Sequence, residues 1–466
     1  MNIKMKKCGV IPSIVIMVLV LAAAAAIAVV DESNIKAARQ INQQTDELVI
    51  TDVKAAWVNI ASGAESEIVL VMSTSNPRIK GISAIWYGRD WYGALRLAEV
   101  QRLKNFLIGK SPFNVEETTA RLHSRINCFY ADQAIEDYDA LREDGIGPSK
   151  EASAIDLAIK SYRKAVSALE TAQWDIIGKA EGKPVYELFG GPGGKVRAYI
   201  SSGTIGTPIE RRVEEILNYS KENYTAIKLR YRDVPDPERA LKLGKAIRQA
   251  VGDKMQILVD GQQDGGYSLQ EALNMVKIFE QLNVGFLEEP LARRNRTGLA
   301  VLTASTDIPT AGSEVGHGLR TFETYLEDGL YDIAQPDLDI CGGFTEARKI
   351  MLMARAKGKK SIPHLWLGGL GMAATLQLIG SIPNHSELCP YFEYPLSQKR
   401  TVEVRDMTLK TQFRVDRDGY VHIPTGPGLG VELKDPILQL IEQGKTKIEI
   451  DKNGKIIKAT EGPITY

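Results

Sequence analysis

From about Val196 the chain repeats one unit, a short apolar run followed by an amphipathic helix. The runs read VRAYIS, YTAIKLR, QILVD, VGFLEEP, IPTAGSE, YDIAQPD, KSIPH and CPYFEYP. Between them, segments such as PIERRVEEILNYSK, DPERALKLGKAIRQAV and SLQEALNMVKIFEQL read as amphipathic helices. Alternation sustained over eight runs predicts a parallel α/β sheet curled into a TIM barrel. In such a barrel the C-terminal strand ends share one mouth, and catalytic groups gather there from several strands. Asp260, Glu288 and Glu314 stand at the ends of three successive runs, 28 and then 26 residues apart, about the length of one strand-plus-helix unit. Three carboxylates converging on one point repel unless a hard divalent cation lies between them. Oxygen-only ligation favours magnesium, with manganese as the second choice.

Upstream the pattern is different. ELVITDVKAAWV alternates as a strand, SEIVLVMSTS follows as a second, and a helical region is expected from Tyr92 to Lys179. Residues 48–190 therefore read as an N-terminal α+β capping domain, and residues 191–400 as the barrel. WYGRDWYG (Trp86 to Gly93) reads as a turn that either forms a lid or packs between domains. After Glu393 the alternation stops. Residues 401–466, with GPGLGVEL and a KIEIDKNGKIIK hairpin, are expected to pack back on the capping domain.

The first 30 residues have another chemistry. Lys4, Lys6 and Lys7 precede an uncharged stretch from Cys8 to Val30 that ends in AAAAAIA, the layout of a Sec-type signal with a cleavage site after Ala28. The 23 uncharged residues are also long enough for a retained membrane anchor over residues 8–30. Either reading places the rest of the chain on the outer side of the membrane, periplasmic or extracellular. A fortuitous leader would leave it cytoplasmic. Residues 31–47 are polar and read as a linker.

At 466 residues and 44% hydrophobic, the chain can bury a large core. Its 58 basic and 58 acidic residues cancel, and no basic run marks a nucleic-acid partner. The four cysteines (Cys8, Cys128, Cys341, Cys389) form no CxxC pair, which argues against a zinc ribbon or a disulfide scaffold. FGGPGGK at Phe189 lacks the GK[ST] ending of a phosphate loop and reads as a turn.

A set of motifs then resembles one family. AVSALETAQWDIIGKAEGKPVYELFGG (Ala165 to Gly191) is followed in order by K-x-R at Lys228, VDGQQ at Asp260, LEEP at Glu288, GSE at Glu314, QPD at Asp337, IPH at His364 and FEYP at Glu393. Over roughly Leu48 to Leu433 this resembles the mandelate racemase/muconate lactonizing branch of the enolase superfamily. The resemblance implies a modified (β/α)7β barrel under an α+β cap, a homo-oligomer, and removal of the proton next to a carboxylate in a small-molecule acid. It also implies that Asp260, Glu288 and Glu314 hold magnesium and that Lys228 stabilises the developing oxyanion. Glu393 would donate a hydrogen bond to the substrate carboxylate, which requires a raised pKa. His364 would be the base, oriented by Asp337, with Asp339 the weaker candidate for that partner.

One departure narrows the reaction. The family's double-lysine motif appears here as Lys228-Leu229-Arg230. A guanidinium stays protonated and does not ordinarily serve as a base. Racemisation needs a base on each face of the intermediate, whereas β-elimination of water needs only one. The expected reaction is therefore dehydration of a sugar acid (aldonate or aldarate) to a 2-keto-3-deoxy acid, with Arg230 binding charge. Racemase, epimerase or cycloisomerase chemistry is the same-scaffold alternative, and an exported non-catalytic carbohydrate-binding protein the alternative of another class. Gln262 stands where the family often has asparagine, a change that bears on specificity. Of the other histidines, His123 and His385 are expected at the surface, and His317 at the mouth or in a plain loop.

Overall fold

A computed structural model describes residues 48–86, 90–126, 150–204, 207–230, 236–261, 267–397 and 400–462. The leader at 1–30, the linker at 31–47, Cys8, Cys128 and Gln262 lie outside the described residues.

Two sheets organise the chain. The first contains β1 (Ile50–Ile60), β2 (Glu65–Thr74), β3 (Lys80–Trp86), β13 (Lys447–Ile450) and β14 (Ile456–Thr460), in the order β14-β13-β1-β2-β3. β1 to β3 form an antiparallel meander, and β13 joins β1 in parallel. The second contains β4 (Lys195–Thr204), β5 (Ala226–Arg230), β6 (Gln256–Asp260), β7 (Leu287–Glu288), β8 (Thr310–Gly312), β9 (Ile333–Ala334), β10 (Lys360–Ser361) and β11 (Phe392–Pro395). Its order is β10-β9-β8-β7-β6-β5-β4-β11, parallel throughout, so the eight runs read from the sequence are its eight strands. Among the described residues, no strand ladder closes the seam between β10 and β11. A side chain bridges it instead, since Leu365 N–H donates to Glu393 Oε2 at 3.0 Å.

The upstream region differs from its sequence reading in one place. GISAIW forms β3, and the aromatic segment read as a turn is divided: Trp86 ends the strand, and residues 90–93 begin the helix Asp90–Leu103. β-branched and aromatic residues on an alternating face outweigh the nearby glycines. Residues 401–466 also divide. Tyr420–His422 (β12) pairs antiparallel with β4, while the β13–β14 hairpin completes the cap sheet.

The long helix Lys150–Glu181 lies across the cap sheet and contributes Tyr162, Val166, Leu169 and Ile176 to the cap's own core. It also presents buried acids to neighbouring segments. Glu170 accepts the Thr345 N–H at 3.2 Å, at the start of the helix Phe344–Ala356. Asp175 accepts N–H groups from Ile82 (2.8 Å) and Leu429 (2.7 Å).

Candidate active site

The period of two along a strand sorts the barrel residues. Ile227, Leu229, Ile257, Val259, Leu287, Ala334, Phe392 and Tyr394 point outward into the main core. The alternate set, Tyr199, Ala226, Leu258, Phe286, Ala311, Ile333 and Ile362, forms a separate interior plug. Two residues further along the same inward face the character changes. Lys228 follows Ala226, Asp260 follows Leu258, Glu288 follows Phe286, Gln335 follows Ile333 and His364 follows Ile362. An apolar floor thus carries a charged mouth.

The charged groups are ordered in pairs. Lys228 Nζ lies 2.7 Å from Glu288 Oε2 and 2.9 Å from Glu393 Oε1, all three buried. Burial works against the Lys228 cation, but Glu288 and Glu393 overcome it and hold the ammonium well above its usual pKa. Lys228 is therefore a fixed positive charge. Gln335 Nε2 donates to the same Glu288 oxygen at 2.8 Å. Arg230 Nε lies 3.3 Å from Asp260 Oδ2, and its guanidinium stacks 4.4 Å from the Trp366 ring centroid.

His364 and Asp337 form a dyad. His364 Nδ1 lies 2.6 Å from Asp337 Oδ2, and His364 Nε2 lies 3.2 Å from Glu314 Oε2. Burial alone would lower the imidazole, but Glu314, Glu393 and Asp337 raise it to about 10. The carboxylate of Glu314 on Nε2 favours the charged form of the ring. Asp337 rather than Asp339 is the partner. Asp339 instead pairs with Lys164 and donates its N–H to Asp337 Oδ1 at 2.8 Å.

Glu393 corrects an expectation. Burial would raise its carboxyl, yet Lys228, His364 and the Leu365 N–H hold it down at about 2. Two cations and one N–H face it, and although Glu288 shares Lys228 with it, these favour the carboxylate over the protonated acid that the resemblance implied.

The three acids read as metal ligands occupy adjacent strand ends. Asp260 is directly opposite Glu288 in the β6–β7 register, and Glu314 follows β8 by two residues. The flanking backbone is strained, with Glu289 at φ 40° and Ser313 at φ 73°, a cost that tends to collect at functional sites. Among the described residues no three His, Cys, Asp or Glu side chains converge as a ready-made metal cage. Instead Asp260 turns to Arg230, Glu288 to Lys228, and Glu314 to His364. The charge balance nevertheless fits a divalent cation. The six carboxylates Asp260, Glu288, Glu289, Glu314, Asp337 and Glu393 outnumber the four cations Lys228, Arg230, Arg293 and His364 by two. The surplus shows at Glu288, raised to about 8 by burial and by Asp260, Glu393 and Glu314 against Lys228. An all-oxygen donor set with such a surplus suits a hard divalent ion.

Four contributors were not singled out from the sequence: Gln335, Glu289, Arg293 and Trp366. Gln335 is two residues before Asp337, a spacing that puts both on one strand face and could have found it. Glu289 and Arg293 form a buried pair at 2.8 Å, with Arg293 Nη2 3.9 Å from Glu314 Oε1. Trp366 lies between Arg230 and Arg400 (5.6 Å to its ring), and nothing in the spacing foretold this. Two of the remaining histidines differ from the surface expectation. His385 is buried, its Nε2 3.0 Å from Gly193 O. His123 is half-buried against His317, with ring centroids 5.6 Å apart.

Comparison with known proteins agrees with this architecture. The Enolase C-terminal domain-like family model matches residues 211–437. The arabinonate dehydratase of Saccharolobus solfataricus is 32% identical over 276 residues, 59% of this chain and 71% of that protein. The D-galactarolactone cycloisomerase of Agrobacterium fabrum is 29% identical over 341 residues, 72% of this chain and 82% of that one. The crystal structure of L-talarate dehydratase from Polaromonas sp. JS666, complexed with Mg and L-glucarate, superposes with a TM-score of 0.67 at 23% identity, covering 84% of this chain and 97% of that one. Relatives of this chain are thus sugar-acid dehydratases, with a cycloisomerase among them. With an eight-stranded parallel sheet, an α+β cap and these acids at the strand ends, the chain belongs to the enolase superfamily, among its mandelate racemase/muconate lactonizing members.

Proposed function

We propose that this chain is a divalent-metal-dependent hydro-lyase that dehydrates a sugar acid to a 2-keto-3-deoxy acid. The observation that carries the reading is the asymmetry of the mouth. One imidazole base, His364, is oriented by Asp337, while the end of β5 presents a guanidinium held to Asp260. Through β4 and β11, β5 lies three strands round from β10. A single base suffices for elimination.

Asp260, Glu288 and Glu314 would hold the cation, magnesium before manganese, which when bound draws electron density from the substrate carboxylate and acidifies the neighbouring C–H. Glu314 must leave His364 Nε2 before that nitrogen can accept a proton. Without Glu314 the imidazole loses the strongest of the carboxylates that hold it charged, so its pKa moves toward the working range of a base. His364 Nε2 then takes the α-proton, and the electron pair of that C–H bond moves toward the carboxylate oxygens as an enediolate. When the pair returns to form the α,β double bond, the β-hydroxyl departs as water with the proton returned by the imidazolium, and the enol so formed ketonises. Lys228 is the fixed cation available to the oxyanion. Glu393, being ionised, anchors Lys228 and the Leu365 N–H. Arg230 supplies binding charge.

The cycloisomerase among the relatives keeps a second reading in view, since the same proton abstraction without loss of hydroxide serves isomerisation. Incubation with arabinonate, galactonate, gluconate and galactarate, with magnesium or EDTA, distinguishes them. Keto acid detected as its semicarbazone, dependent on metal and on His364 (lost in His364→Asn), is the expected result. Deuterium incorporation at the α-carbon without keto acid would replace dehydration by isomerisation. The export reading of residues 1–30 places this chemistry outside the cytoplasmic membrane, and cell fractionation of the full chain tests it.

A further inference from the structure

We infer that Lys164 and Asp339 are a positioning pair through which the capping domain sets the geometry of the His364–Asp337 dyad, an inference that rests on the proposed role of that dyad. Lys164 comes from the cap helix Lys150–Glu181, and Asp339 from the turn after β9. The two form an ion pair with both side chains almost wholly buried. Asp339 Oδ2 also accepts the Trp86 N–H at 3.3 Å, so the end of cap strand β3 bonds to the same carboxylate. The Arg96 guanidinium donates to Trp86 O, fixing that strand end a second time.

On its other side Asp339 is two residues from Asp337, and its N–H donates to Asp337 Oδ1 at 2.8 Å. Asp337 O accepts N–H groups from Ile340 (2.9 Å) and Cys341 (2.7 Å), so residues 337–341 form one tight turn. A displacement of the Asp339 side chain therefore turns the N–H that fixes Asp337. Asp337 has two carboxylate oxygens, one held by this N–H and the other bonded to His364 Nδ1 at 2.6 Å. The chain of contacts runs from a cap helix to the base with no gap.

Stability alone does not account for this pair. Two charges taken out of water recover their desolvation only through good geometry, and well-packed neutral replacements are often as stable or more so. Lys164 shows the penalty. Burial lowers its pKa, and the neighbouring Asp339 only partly restores it. What the pair supplies that neutral residues would not is a directional tie between cap and dyad. Outer partners of metal-ligating histidines typically change affinity or activity about 10–100-fold when removed, and the same scale is taken here for a histidine base.

The test uses the full chain with magnesium. The double variant Lys164→Met/Asp339→Asn removes both charges while keeping an acceptor for the Trp86 N–H. It is expected to keep the wild-type Tm, to lose or broaden the downfield His364 Nδ1–H proton resonance (assigned by its absence in His364→Gln), and to lower kcat about 10–100-fold with KM unchanged. If the double variant does not fold, the near-isosteric Asp339→Asn alone is expected to shift the same resonance and lower kcat. An unchanged resonance in a folded variant overturns the inference and leaves the pair purely structural. If wild type turns over no acid sugar, the dehydratase reading fails while the resonance still decides the inference.

Discussion

Replacing Asp337 by asparagine tests the dyad most directly. The imidazole of His364 is raised from 6.5 to about 10 against burial, by Glu314, Glu393 and Asp337 together. That rise corresponds to roughly 5 kcal/mol of preference for the imidazolium, at about 1.4 kcal/mol per pKa step. Asp337 supplies only part of it, but it alone bonds Nδ1, at 2.6 Å, and so fixes which ring nitrogen faces the substrate. A hydrogen bond to a charged group contributes about 1.5–3 kcal/mol. If all of it acts in the transition state, kcat falls about 10–150-fold. KM should hardly move, because Asp337 faces the imidazole and the turn backbone. Initial rates of semicarbazone formation over a range of substrate concentrations separate the two constants, with His364→Asn as the larger loss. A folded Asp337→Asn protein with kcat within about threefold of wild type would refute the argument and make the dyad structural.

If Asp260, Glu288 and Glu314 hold magnesium as proposed, the ion must draw them away from their present partners. At about 100 times its Kd it should add about 2.7 kcal/mol of stability over EDTA, seen as a higher Tm. Glu314→Gln should lose that increment, and a Tm indifferent to magnesium in wild type would contradict the ligand assignment. Arg230→Lys places a titratable amine at the end of β5. Dehydration should slow while deuterium exchange and epimer appear in recovered substrate by NMR; absence of both would show that Arg230 does not stand on the opposite face. Glu67, wholly buried on β2, has its carboxyl raised to about 8 by burial and by Glu65. Its native form keeps a proton that the unfolded chain releases near 4.5, so stability falls as pH rises from about 4.5 to about 8. Glu67→Gln should therefore raise Tm at pH 9 and leave it nearly unchanged at pH 4, and an equal effect at both would be inconsistent with a buried titrating acid.

Much of the site was legible because a parallel barrel converts linear position into spatial position. Once QILVD, VGFLEEP and IPTAGSE are strands, Asp260, Glu288 and Glu314 must emerge at one mouth, and the period of two puts Gln335 beside Asp337. Glu393 does fall on the eighth strand, as its second residue rather than at its end, and its surroundings favour a charge state other than the one expected. That depends on which charges surround it, and Lys228 at 2.9 Å with the Leu365 N–H at 3.0 Å settled the sign. β3 was not read from the sequence; only its last residue, Trp86, lies in the segment read as a turn, and pairing with β2 from Lys80 to Trp86 makes the strand.

By itself the sequence determined the period: eight apolar runs, the helices between them, and the acids and histidine at the run ends. Local hydrophobic patterning and chain connectivity suffice for those, since neither requires knowledge of a distant neighbour. Only the tertiary structure decided which charges meet. Lys164 and Asp339 are 175 residues apart and Lys228 and Glu288 are 60 apart. A buried charge takes its state from whatever the fold brings within a few ångströms, a distance to which spacing along the chain gives no guide.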